Sequence, residues 1–200
     1  NPNYFIRAGK LHINGRWLVY GANFDVDTGQ EIEPTWIYRH DLKTGVRKPL
    51  ARPLKPAWEF PRLNHFGTHI LYQRKELHPK GMQVWLVDIE GQEDRELFNF
   101  GTNVKTYASW HPDGVRILVM TETDTHRRLG ITALHDPEIR WLLDDSTVDI
   151  EAAWIPYNSH SIVVIVNPTG RPSGRLIDWQ SGQNKLPPAY PGNLIPLAPL

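Results

Sequence analysis

Short apolar runs separated by polar turns recur four times along the chain. Each copy begins with glycine or serine and ends in three consecutive apolar residues. The copies occupy residues 15–20, 67–72, 114–119 and 159–164. Their starting positions lie roughly 45 to 50 residues apart, a period that indicates stacked supersecondary units.

A second phrase repeats with nearly the same period. It is an apolar segment that ends in aspartate in three units, at Asp41, Asp88 and Asp178, whereas Ala133 stands at this position in the third unit. Aspartate side chains accept hydrogen bonds from nearby backbone amides and so favour turns. We predict that the three aspartates cap a turn, a role that is structural and not catalytic.

Tryptophan also recurs in register. One set precedes the first phrase and consists of Trp58, Trp110 and Trp154. A second set falls on the expected third strands and consists of Trp36, Trp85 and Trp179. Because each set occupies equivalent positions, we predict that these side chains pack between units instead of lining a ligand groove.

The apolar runs predict β-strands. They are short, rich in β-branched and aromatic residues, and bounded by Gly, Pro, Asn or Asp, which is typical of strands. Their apolar residues are consecutive, as in strands covered on both faces. The chain is therefore predicted to be all-β, a β-propeller segment of about four four-stranded antiparallel blades and part of a larger propeller. The approximate blades are residues 1–56, 57–107, 108–150 and 151–185, with the proline-rich residues 186–200 as a linker or the start of a next unit.

Composition narrows the classes of partner. Lysine and arginine total 22, aspartate and glutamate also total 22, and cysteine is absent. Balanced charge gives no global field that would attract nucleic acid or an acidic membrane, and no apolar run approaches the roughly 18 residues of a membrane span. Without cysteine, disulfides and cysteine-ligated metal sites are excluded. We expect no nucleic acid, no membrane partner, no cofactor and no metal.

A turn phrase carries a resemblance to known proteins. Trp110-His111-Pro112-Asp113-Gly114 resembles the Trp-Ser-Pro-Asp-Gly phrase of TolB-type propeller repeats and of the N-terminal propeller of prolyl-oligopeptidase-family serine peptidases. The resemblance implies a non-catalytic propeller region that controls substrate access in a prolyl-oligopeptidase-type serine peptidase. Because the chain has no Gly-x-Ser-x-Gly nucleophile motif, we expect no catalytic residue here and place the hydrolase domain outside this segment.

Two other interpretations remain open. The first is a TolB-like, protein-binding propeller without enzymatic activity, and the second is a self-contained four-bladed propeller. The partners expected are a downstream hydrolase domain or another protein, with peptides as ligands, and open blade edges would favour self-association. The cytoplasm is favoured as the compartment, with the periplasm expected for a TolB-like protein.

The candidate site residues are two acidic side chains in the first unit. Glu31 and Glu33 fall in the connection predicted over residues 21–34. Loops on a rigid scaffold often carry binding, and acidic propeller loops hold the peptide amino terminus in some exopeptidases of the family that the chain resembles. The resemblance therefore implies a possible peptide-binding loop at Glu31 and Glu33.

Overall fold

The computed structural model describes residues 5–53, 61–75, 81–168 and 170–185. Within these ranges the secondary structure consists of strands and turns, with no α-helix. Consequently, no helix in this part of the chain could cross a membrane.

Sixteen strands form four antiparallel sheets in the described residues, and each sheet contains four strands that are consecutive in the chain. Sheet 1 contains β1 (Ile6–Leu11), β2 (Trp17–Phe24), β3 (Glu31–Asp41) and β4 (Arg47–Ala51). Sheet 2 contains β5 (Arg62–Leu63), β6 (His69–Arg74), β7 (Gln83–Asp88) and β8 (Arg95–Phe98). Sheet 3 contains β9 (Lys105–Trp110), β10 (Arg116–Glu122), β11 (Arg127–Ala133) and β12 (Asp136–Leu143). Sheet 4 contains β13 (Ile150–Trp154), β14 (Ser161–Val166), β15 (Ser173–Asp178) and β16 (Asn184–Lys185).

Strand β10 shows why its apolar residues are consecutive. Side chains alternate between the faces of a strand, so Ile117 and Val119 pack against sheet 2 whereas Leu118 and Met120 pack against sheet 4. Both faces of sheet 3 are therefore buried, which explains why residues 117–120 of this strand are all apolar.

Three apolar clusters join the sheets face to face. The cluster between sheets 1 and 2 consists of Val19, Ile37, Leu50, Ala51, Ile70, Tyr72 and Val87. Between sheets 2 and 3 it consists of Leu71, Val84, Leu86, Phe98, Ile117, Val119 and Leu134. Between sheets 3 and 4 it is larger and is built around Leu118, Leu129, Ile150, Ile162, Val164 and Ile177. The core of this fold therefore lies between successive sheets.

The predicted aspartate caps are present in the turns between third and fourth strands. Asp41 accepts a hydrogen bond from the Lys43 amide at 3.0 Å, and Asp88 accepts one from Glu90 at 3.1 Å. Asp178 accepts one from the Gln180 amide at 2.9 Å. The structural role predicted for the three aspartates is confirmed.

Asp41 is expected to make stability depend on acid pH. The hydrogen bond from Arg16, whose Nη2 lies 2.8 Å from Asp41 Oδ2, holds the pKa of the Asp41 carboxyl well below its usual value. A carboxyl whose pKa is lowered by folding stabilises the fold above its unfolded pKa of about 3.9, and this contribution disappears as pH falls through the folded value. Asp41→Asn should therefore lower the melting temperature at pH 6, with a difference that narrows below about pH 4.

Thermal denaturation followed by circular dichroism at pH 6, 4 and 3 checks this prediction. The matched control is Asp124→Asn, since Asp124 is exposed on a loop and forms no ion pair with the residues that the structure describes. A melting difference for Asp41→Asn that stays constant from pH 6 to pH 3 would contradict the argument.

The tryptophan predictions have mixed outcomes. Trp110 packs against the cluster between sheets 2 and 3, as predicted, and Trp36 and Trp85 lie on third strands. Trp179, however, follows β15 and lies in a turn, so its assignment to a strand was wrong. Its ring still fills the cluster between sheets 3 and 4, because a turn residue that folds back over the sheet edge can cover the same apolar surface. Trp58 lies outside the described residues.

Candidate binding site on the inner wall

The two acidic residues predicted for a loop lie on a strand. β3 begins at Glu31, and Glu33 is its third residue, so the connection is limited to residues 25–30. Asp25 closes this connection by accepting hydrogen bonds from the amides of Asp27 and Thr28. Placing Glu31 and Glu33 in a loop was therefore wrong, because the β2–β3 hairpin extends further than its polar sequence indicates. Glu31 is exposed and pairs with Phe24, and contact with a peptide amino terminus remains a prediction.

A pocket forms where the first strands of three sheets converge. We call the surface shared by β1, β5 and β9 the inner wall, and the pocket in it the Arg62 pocket. Its volume is about 280 Å³, and its lining includes Lys10, Leu11, His12, Arg62, Leu63 and Trp110. No aspartate or glutamate is among the described residues that line it. The pocket therefore combines positive charge with an apolar wall.

Arg62 is the central cation of this pocket. The Trp110 indole donates a hydrogen bond to the Arg62 carbonyl at 2.7 Å, which fixes the backbone of β5 against β9. Surrounding protein lowers the pKa of the Arg62 guanidinium, yet the residue is exposed to solvent, and arginine stays protonated in proteins. Among the described residues no carboxylate pairs with it.

Two side chains on the inner wall form hydrogen bonds to the next sheet. His12 Nε2 lies 2.9 Å from the His65 carbonyl, and Asn64 Nδ2 donates to the Gly114 carbonyl at 3.0 Å. A carbonyl only accepts, so His12 Nε2 carries the proton, while its Nδ1 accepts the Asn14 amide at 3.4 Å. Lys10 and Arg62 are the lysine and the arginine among the described residues that line the pocket.

A second pocket adjoins the first through Arg62. Its volume is about 240 Å³, and Leu71, Gln73, Tyr107 and Ala108 are among the residues that line it. Gln73 donates to the Thr106 carbonyl at 3.1 Å, which ties sheet 2 to sheet 3 on this side. Burial raises the pKa of the Tyr107 phenol, so its hydroxyl is neutral at physiological pH. An extended ligand could occupy both pockets with Arg62 between them.

The inner wall carries hydrogen-bond donors and apolar side chains. Within the four described ranges, no group of three His, Cys, Asp or Glu side chains is arranged to hold a metal ion. Donors and apolar surface dominate instead, and the hydrogen bonds between sheets hold them in place before any ligand arrives.

Comparison with known proteins identifies the fold. No family model matches the chain, and no curated protein sequence matches it. Among solved structures, TolB from Acinetobacter baumannii is similar with a TM-score of 0.65 and 15% identity over 92% of this chain and 43% of that chain. A puromycin-hydrolyzing peptidase from Mycobacterium tuberculosis is similar with a TM-score of 0.69 and 12% identity over 95% of this chain and 32% of that chain. The chain is a β-propeller segment.

The same comparison includes an oligogalacturonate lyase in complex with manganese, with a TM-score of 0.69 and 13% identity over 89% of this chain and 52% of that chain. At such identities the likeness shows the fold alone. The chain spans less than two thirds of each of these three propeller proteins. The predicted fold class is confirmed, with sheets 1 to 4 as successive four-stranded antiparallel blades.

Sequence reasoning missed the inner wall of this propeller. Lys10, Arg62 and Trp110 are far apart in the chain, and no local motif links them. The first strand of each blade does recur in register, so aligning the units would have placed these strands side by side. The position of Arg62 between two pockets becomes visible only in the folded molecule.

Proposed function

We propose that the chain is the non-catalytic propeller region of a prolyl-oligopeptidase-type serine peptidase and that it controls the access of peptides to a hydrolase active site outside this segment. The observation that carries the proposal is the preformed, charged inner wall on a chain without a nucleophile motif. A propeller whose wall carries groups that can bind a peptide, but which has no nucleophile motif, is suited to admitting substrate to an active site elsewhere. The similarity to a puromycin-hydrolyzing peptidase supports the same class.

The second candidate function is TolB-like protein binding. The observation that favours it is a set of exposed apolar side chains at the turns between first and second strands. Ile13 is 76% exposed, Phe66 is 59% exposed and Tyr157 is 69% exposed. Apolar side chains that recur on one face of a scaffold suit a protein partner.

Activity of the complete reading-frame product separates the two candidates. The expected result is hydrolysis of blocked aminoacyl or peptide chromogenic substrates that a serine-directed inhibitor abolishes, while the 200-residue chain alone is inactive. Absence of hydrolysis and of labelling by the inhibitor would overturn the peptidase proposal and leave protein binding as the function to test.

A further inference from the structure

Three arginines that lie on strands in the described residues pair with carboxylates, whereas no carboxylate is among the described residues that line the pocket beside Arg62. Arg39 lies 2.6 Å from Glu90, Arg74 lies 2.6 Å from Asp94, and Arg127 lies 2.9 Å from Glu122. A cation partly removed from water is costly unless an anion compensates it. Arg62 forms no ion pair with another residue in the described part of the chain, and its side chain is exposed, so its donors can reach an anion that enters the pocket.

The remaining lining specifies what kind of anion fits. Lys10 adds a second positive charge, and no aspartate or glutamate is among the described residues that line the pocket. Leu11, Leu63 and Trp110 provide an apolar wall beside these charges. A volume of about 280 Å³ is near the lower end of the roughly 300–1,000 Å³ usual for ligand pockets, so the pocket suits the end of a ligand better than its middle.

We propose that the Arg62 pocket binds the C-terminal carboxylate of a short peptide, with the apolar wall receiving the side chain of the last residue. A guanidinium can donate two parallel hydrogen bonds to a carboxylate, which gives both energy and direction. The peptide would run from Arg62 along β9 into the adjoining pocket at Gln73 and Tyr107. This substrate class rests on the proposed function, whereas carboxylate binding itself does not.

Calorimetric titration of the 200-residue chain with a matched peptide pair tests the proposal. The probes are acetyl-Ala-Ala-Leu with a free carboxylate and the same peptide as its C-terminal amide. The free acid should bind at least about tenfold more tightly, because hydrogen bonds to charged groups exceed neutral ones. The indole N–H resonance of Trp110, assigned with Trp110→Phe, should shift with the acid because this group is bonded to the Arg62 carbonyl.

Two variants assign the effect to the pocket. Arg62→Gln should weaken binding of the acid at least about tenfold and leave the affinity for the amide unchanged. Lys10→Gln should weaken binding of the acid by a smaller factor. The matched control is Arg95→Gln, since Arg95 is exposed on β8 and does not line the pocket. Circular dichroism melting of each variant checks its fold, and Lys10→Gln keeps the test decisive if Arg62→Gln is unstable.

Equal affinity for acid and amide, or unchanged acid binding in both Arg62→Gln and Lys10→Gln, would overturn the proposal. Tighter, Arg62-dependent binding of trigalacturonate, with no binding of the peptide acid, would assign the pocket to acidic oligosaccharides and overturn the peptide. Acid-selective binding in a protein without hydrolase activity would retain the site and remove the peptidase function. Hydrolase activity without acid-selective binding would retain the peptidase function and overturn the carboxylate site at Arg62.

Discussion

Asp94→Ala is expected to lower the free energy of unfolding by about 2–3 kcal/mol, because it removes a carboxylate that forms an ion pair with a buried arginine. The Arg74 side chain is 6% exposed, and its Nη2 lies 2.6 Å from Asp94 Oδ2. The Tyr72 hydroxyl donates to the same carboxylate. Asp94 retains some contact with water, with 28% of its side chain exposed, so the loss should fall below that of a fully buried pair.

Urea denaturation measures this loss. The control replaces the whole polar group with apolar residues, as Arg74→Met, Asp94→Leu and Tyr72→Phe in one chain. That variant should recover more than half of the lost stability, since exchanging both partners of a buried pair for apolar groups is often neutral. A change of less than about 0.5 kcal/mol for Asp94→Ala, the level of ordinary surface substitutions, would show that Arg74 finds compensation elsewhere.

Ile162→Ala should destabilise the fold by about 2–5 kcal/mol, because it opens a cavity in the cluster between sheets 3 and 4. Ile162 is 0% exposed and packs with Leu118 and Leu129 across the interface between the sheets. Since successive repeats contact only their neighbours, this interface should control whether sheet 4 stays folded with the rest.

The same denaturation experiment, followed by hydrogen exchange, checks the second prediction. Val46→Ala is the control, because Val46 is 55% exposed in a turn of sheet 1 and should change stability by less than about 0.5 kcal/mol. Loss of amide protection confined to sheet 1 in Ile162→Ala, or equal effects of the two substitutions, would contradict a core located between the sheets.

Repetition made the fold predictable from the sequence. Asp41, Asp88 and Asp178 marked equivalent turns, and the structure gives each the same local hydrogen bond. The limits of the strands were harder to predict from the sequence. The polar residues around Glu31 disfavour a strand locally, but pairing with β2 extends β3 to that residue. Tertiary pairing outweighed local composition at this point.

The candidate site could not be predicted in the same way. Arg62 follows a connection between sheets, and nothing in its neighbourhood distinguishes it from an ordinary solvated arginine. Its significance comes from the approach of β1 and β9 to β5, which forms a pocket beside Arg62 with no carboxylate among the described residues that line it. Charge compensation is a property of three-dimensional neighbours, and a single sequence does not reveal it.

The most direct test of the proposed function is the sequence of the native reading frame beyond Leu200. The peptidase proposal predicts further propeller repeats followed by a hydrolase domain with a Gly-x-Ser-x-Gly motif. A stop codon soon after Leu200 would contradict it, and the apolar turns at Ile13, Phe66 and Tyr157 would then become the first surface to examine for a protein partner.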